Sequence, residues 1–158
     1  MELELSVNKA NVYDEVAKTT SYLGAKMMGE DAEAYKRIFT TDEDRLFLER
    51  FWVETCNSAT EHLKPFIVSV DAQPVSHGID LTRNYKVRLE VSSAFDTSLR
   101  EAIETTLHSY FVLSIASKWY AFASKSDVEY NATEATGLIE EALKMMYYRK
   151  RPMRADYE

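Results

Sequence analysis

Residues 41–65, TDEDRLFLERFWVETCNSATEHLKP, constrain the fold more than any other stretch of this chain. They read as one long amphipathic helix with a defined start and stop. Thr41 is placed to cap the helix, and Asp44 follows three residues later, as in a capping box with Asp in place of Glu. Asp42, Glu43 and Asp44 put negative charge at the positive end of the helix dipole. Leu48, Phe51, Trp52, Cys56, Ala59 and Leu63 then recur at helical spacing and form one apolar face. Pro65 stops the helix, because the residue before a proline is pushed out of the helical region. So apolar a face must be buried against other elements, and the stretch therefore predicts a packed domain. It does not point to a chemistry.

The remaining periodicities supply the partners. Leu3, Leu5 and Val7 alternate with Glu2, Glu4 and Ser6, the pattern of a half-buried strand. Such a terminal strand needs an edge to pair with, in its own fold or in another subunit. Asn8 opens a helix to about Met28, with Val12, Val16, Thr20 and Leu23 on one face and Gly24 or Gly29 near its end. Residues 31–39 read as a loop carrying one short helical turn. Phe66, Val68 and Val70 alternate with Ile67 and Ser69, and Tyr85, Val87, Leu89 and Val91 alternate with Lys86, Arg88 and Glu90, which predicts two strands. Between them, residues 73–84 carry the turn formers Pro74, Gly78, Asp80 and Asn84. A hairpin loop this long is expected to contact something. Ser98 and Glu101 suggest a second capping box, opening a helix to about Ser124. From Tyr110 onward its apolar residues wrap nearly all round, which predicts a central helix or one buried between subunits. Ser126 or Asp127 caps a last helix to about Arg149, built on Val128, Ala135, Leu138, Ile139, Ala142, Leu143, Met145 and Met146. The expected fold is α+β and mainly helical, with four main helices around a small β-hairpin and a short N-terminal strand. One domain over residues 1–158 is expected, with residues 1–7 and 149–158 as terminal arms.

Composition removes several function classes. The net charge of −7 argues against a general nucleic-acid binder. A single cysteine, Cys56, allows no intrachain disulfide and lies on an apolar helix face, as a buried structural thiol does. The longest uncharged apolar-rich run, residues 109–117, is far short of the roughly 20 residues that span a bilayer. The opening MELELSV lacks the basic and apolar regions of a secretory signal, so a cytoplasmic place of synthesis is expected. His62, His77 and His108 stand in separate elements, without the spacing of a metal site. Asp42, Glu43, Asp44, Glu49, Glu54, Glu140 and Glu141 are expected on solvated faces. With only four glycines there is no phosphate loop, nucleophile elbow or dinucleotide fingerprint. No catalysis, metal or cofactor is expected.

Contacts with other proteins are the better expectation. The chain carries 10 tyrosines, 7 phenylalanines and 2 tryptophans, and Tyr, Trp, Met and Arg are enriched in protein interfaces. Tyr147 and Tyr148 adjoin the basic cluster Arg149, Lys150, Arg151 and Arg154. Three groups are the candidate subunit contacts: Leu3, Leu5 and Val7; Pro74, His77 and Asp80; and the Tyr147–Arg154 cluster just named. The cations suit a solvated helix end, carboxylates of a neighbouring subunit, or nucleic acid.

The order of elements resembles the head–tail connector (adaptor) proteins of tailed bacteriophages, over roughly residues 41–151. The resemblance lies in the acid-capped helix DEDRLFLERFWVETCNSATEHL, the later helix start Leu99-Arg100-Glu101-Ala102-Ile103, and its aromatic end Trp119-Tyr120. The N-terminal strand and the loop 73–84 depart from the simplest members. The resemblance implies a structural virion protein at the head–tail junction. Many copies would form a homo-oligomeric ring beneath the portal protein, joined to tail or other neck proteins, with DNA passing through and touched at most transiently. It implies no membrane and no cofactor. Two rivals remain: another neck, tail-completion or tail-terminator protein, and a small cytoplasmic enzyme or ligand-binding domain with a pocket near His77, Arg83 and Tyr85.

Overall fold

Trp52 and Phe111 meet with ring centroids 5.1 Å apart and lock the two longest helices together. The computed structural model describes residues 1–20, 39, 41–71, 73, 80–123 and 128–149, the side chains of residues 122–131 excepted. In chain order the elements are β1 (Glu2–Val7), α1 (Lys9–Thr20), α2 (Asp42–Leu63), β2 (Ile67–Val70), β3 (Tyr85–Glu90), α3 (Arg100–Ala123) and α4 (Val128–Met146). Short 3-10 turns lead out of α2 at Lys64–Phe66 and into α3 at Thr97–Leu99. This is the mainly helical α+β fold expected, and its sheet is three-stranded.

The start and stop of α2 follow the local chemistry. The Asp44 N–H donates to Thr41 Oγ1 at 3.1 Å, and the helix ends at Leu63, ahead of Pro65 in the 3-10 turn. Leu48, Trp52, Cys56, Ala59 and Leu63 are buried, and Phe51 is half-buried. Asn8 caps α1 by accepting from the Asn11 N–H at 3.0 Å. At α3 the expected capping box is replaced. Asp96, in extended conformation, accepts from the Ser98 N–H at 3.1 Å and the Ser98 hydroxyl at 2.7 Å. A carboxylate is the stronger acceptor at the positive end of a helix, and it stands just ahead of the first turn. Helix α3 is central, in contact with α1, α2, α4 and β1.

The sheet order is β1-β3-β2, all antiparallel. In β1, Leu3 lies opposite Leu89, Leu5 opposite Val87 and Val7 opposite Tyr85, and all six side chains are buried. This corrects the expectation that residues 1–7 form an arm ordered by another subunit. The matching alternation of β3 gives Leu3, Leu5 and Val7 a core of their own to enter. The outer edge of β1 is also covered. The Ser6 N–H donates to Glu104 at 3.1 Å, and Arg100 Nε donates to the Glu4 carbonyl at 3.0 Å. Both are α3 side chains, so this edge is closed to strand addition.

Helix α4 stops at Met146, three residues before the expected end. The N–H groups of Tyr147 and Tyr148 turn back to the Lys144 and Met145 carbonyls, each at 3.1 Å. The Tyr148 carbonyl then accepts from the Asp96 N–H at 3.2 Å, and Arg149 bridges Phe95. Pairing with 95–96 wins over another helical turn. The expected extension of α1 to Met28, the turn in 31–38, the caps Ser126 and Asp127, and residues 150–158 lie outside the described residues.

The buried apolar side chains form one cluster that includes Trp52, Phe111, Leu107, Tyr85 and Leu5. Trp52→Ala or Phe111→Ala is expected to cost about 3–5 kcal/mol. Chemical denaturation reads this directly, and an unmoved midpoint in either variant would remove these residues from the core.

Candidate interaction surface

The expected contact residues separate sharply by position. Leu3, Leu5 and Val7 are inside the core. Asp80 is exposed and serves its own turn, accepting from the Thr82 N–H at 2.9 Å and the Thr82 hydroxyl at 2.6 Å. Those bonds hold its carboxyl below the usual carboxylate range. Pro74, His77, Lys150, Arg151 and Arg154 lie outside the described residues. Tyr147, Tyr148 and Arg149 are exposed where the chain leaves α4, with Tyr147 65% and Tyr148 55% accessible.

Strand β2 adds a surface that its alternation does not predict. By spacing Phe66, Val68 and Val70 share one face of the strand, yet Val68 is 51% and Val70 39% accessible. The register shifts between Ile67 and Ser69, leaving Val68 in a bulge with no residue opposite it in β3. β2 is also the outer strand, and among the described residues no strand pairs with its far side. Phe66, half-buried at the start of the strand, meets Tyr147 edge-on at 5.1 Å. Val68 and Val70 thus leave apolar side chains exposed along a sheet edge that is bare among the described residues, with the Phe66–Tyr147 pair where the strand begins, an arrangement that natural proteins cover or use for binding.

Beneath the opposite end of the hairpin lies a buried polar cluster. Glu49, expected on a solvated face, is buried. Lys9 Nζ contacts its two oxygens at 2.8 and 3.1 Å, and the Tyr13 hydroxyl donates to it at 3.0 Å. The ammonium also sits 5.5 Å from the Tyr13 ring centre and 5.7 Å from that of Trp52. A signal is present in the sequence. Glu49 precedes Trp52 and Cys56 by three and seven residues, and Lys9 precedes Val12, Tyr13 and Val16 by three, four and seven. Each charge occupies the apolar seam of its helix. The ends of the loop join the cluster. Trp52 Nε1 donates to Gln73 Oε1 at 3.2 Å, Gln73 Nε2 donates to the Asn84 carbonyl at 3.1 Å, and Asn84 Oδ1 accepts from the Lys9 N–H at 3.1 Å.

The remaining chemically able groups are tied up or scattered. Burial pushes the Cys56 thiol far above its usual range, so it stays protonated and unreactive. Tyr85 is buried, with its hydroxyl 2.9 Å from Thr60 Oγ1, and burial pushes its phenol up to about 12. It is a core residue rather than the wall of the pocket expected near His77, Arg83 and Tyr85. His108 pairs with Glu15 at 3.0 Å. His62 Nδ1 lies 2.8 Å from the Ser58 carbonyl, beside an open cleft of about 240 Å³ between α2, α3 and α4. There the Tyr110 hydroxyl donates to Ser58 Oγ at 2.9 Å. Among the described residues, no three His, Cys, Asp or Glu side chains gather as a metal site, and no helix is long and apolar enough to cross a membrane.

Comparison with protein-family models, with curated proteins and with solved structures finds no match for this chain.

The buried cluster and the buried thiol can each be tested. Glu49→Leu alone is expected to cost about 3–5 kcal/mol, because it strands the Lys9 charge, whereas Lys9→Met with Glu49→Leu restores most of the loss. Urea titration of the single and double variants checks this, and equal losses in both would show that the pair is not coupled. Cys56 is expected to resist thiol reagents in the folded protein and to react at once in denaturant. Rapid labelling under native conditions would place it at the surface.

Proposed function

We propose that this chain is a non-catalytic structural protein of the head–tail junction of a tailed phage, assembling as a ring beneath the portal. The observation that carries the assembly is the apolar, aromatic edge formed by Val68, Val70, Phe66 and Tyr147. Left to water, it costs free energy that a neighbouring protein would recover. The resemblance of the helix pattern over residues 41–151 to connector proteins supports the place of that assembly. The charge of −7 supports it too, since an acidic ring keeps passing DNA from sticking to its wall. The basic residues from Arg149 onward then serve neighbouring carboxylates, of another copy or of the portal, before they serve DNA.

The test is the assembly state of the purified full chain, by native mass spectrometry and negative-stain microscopy over a concentration series, alone and with the portal. Ring particles, or a portal-bound ring, are the expected result. A chain that remains monomeric throughout and ignores the portal would overturn the proposal.

A further inference from the structure

We propose that the open cleft between α2, α3 and α4 binds a small organic oxyanion, a carboxylate or phosphate monoester carried on an apolar body. Three helices turn small side chains towards this space: Ser58 from α2, Ser114 and Ser117 from α3, and Ala132, Ala135 and Thr136 from α4. The cleft holds about 240 Å³. Sites for drug-sized ligands run to roughly 300–1,000 Å³, so this one suits a smaller molecule. Its two sides differ. Ala135 and Ile139 of α4 are buried and give the cleft an apolar wall. The polar groups come mainly from α2 and α3.

That polar side is rich in donors. The Tyr110 hydroxyl donates to Ser58 Oγ at 2.9 Å, which leaves the Ser58 proton for another acceptor. Ser114 adds a second hydroxyl to the lining. Lys118 Nζ gives one N–H to Glu54 at 3.0 Å and keeps two more. His62 stands at the exposed rim, its ring held by the contact of Nδ1 with the Ser58 carbonyl at 2.8 Å. Among the described residues, no carboxylate lines the cleft, although the chain as a whole carries −7. Donors and a cation without a lining acid select a ligand with acceptor oxygens. A negative charge on those oxygens gives the stronger, charge-assisted bonds. Glu54 competes for Lys118 from beside the cleft, so removing it has an effect of known sign. The inference goes beyond the ring reading and does not rest on it, because no residue of the cleft belongs to the β2 edge or to the chain exit at Tyr147.

The test titrates the full-length chain with benzoate and with phenyl phosphate, and with benzyl alcohol as the neutral control, followed by two-dimensional proton–nitrogen NMR. The anions are expected to shift the amides of Ser58, Ser114, Lys118 and Thr136, with a Kd of about 1 mM or tighter for the better one. The tighter of the two identifies the head group, and the alcohol should bind at least about fivefold more weakly. Lys118→Met is expected to weaken anion binding about tenfold. Glu54→Gln is expected to tighten it, because the competing carboxylate is gone and the third N–H is released. Both side chains are more than a third exposed, so neither variant disturbs the core, and circular dichroism checks that each is folded. No localised shift with either anion would overturn the inference, as would equal binding of benzyl alcohol or binding that ignores both variants. Shifts centred on Arg149 and the basic residues after it would also overturn it, since they would mean general charge attraction. Ring formation is read separately, from particle mass, and stands or falls without regard to these outcomes.

Discussion

Trp52 is the meeting point on which the rest of the structure depends. Its ring touches Tyr13 of α1 edge-on at 6.0 Å and Phe111 of α3 at 5.1 Å. Its N–H holds Gln73 at the base of the long loop, and the buried Lys9 ammonium lies against its face. One side chain thus fixes two helices relative to α2 and anchors the chain between β2 and β3. The Lys9–Glu49 pair beside it adds specificity of a kind that apolar packing lacks. A slip of α1 against α2 would leave two buried charges unpaired, which is far costlier than a lost methyl contact. Phe111 carries the arrangement onward to Tyr85 at 5.2 Å, and so to the sheet.

With the sheet held against α3, its two edges meet different fates. The β1 edge is finished from within the domain by Arg100 and Glu104. The β2 edge is short, bulged and bare among the described residues, and it carries the exposed valines. A bulge commonly protects an edge by spoiling its register. Here the bulge lies at the Ile67 end and leaves residues 69–71 in regular pairing with β3. The proposed assembly uses this edge, together with the aromatic exit of the chain at Tyr147 and Tyr148.

Much of this is legible in the sequence, for reasons that are local. Thr41 and Pro65 mark the ends of α2 through interactions within three or four residues, so spacing alone reveals them. The alternations of β1 and β3, and the all-round apolar character of α3, report burial directly. Spacing does not give the choice of partner. Leu3, Leu5 and Val7 fit any complementary edge, and only the fold shows that the edge is their own β3. Glu49 looks like one more acid on a charged helix because its counter-ion, Lys9, is 40 residues away. The exposure of Val68 is missed because a bulge is invisible to a period of two. The helix α4 pattern runs on through Tyr147, yet the backbone of Phe95 and Asp96 captures the chain first. The candidate surface is half legible for the same reason. Tyr147, Tyr148 and Arg149 read as surface from their place at a basic helix end, whereas the β2 edge beside them is hidden by its bulge.

Residue-resolved hydrogen exchange at several protein concentrations tests the central claim most directly, since it reads the two sheet edges in one experiment. The Ser6 amide is expected to be protected at every concentration by its bond to Glu104. The outward amide of Val70 should exchange freely in dilute protein and become protected as copies associate. Fast exchange at Val70 in fully assembled protein, or slow exchange there in the dilute monomer, would contradict it.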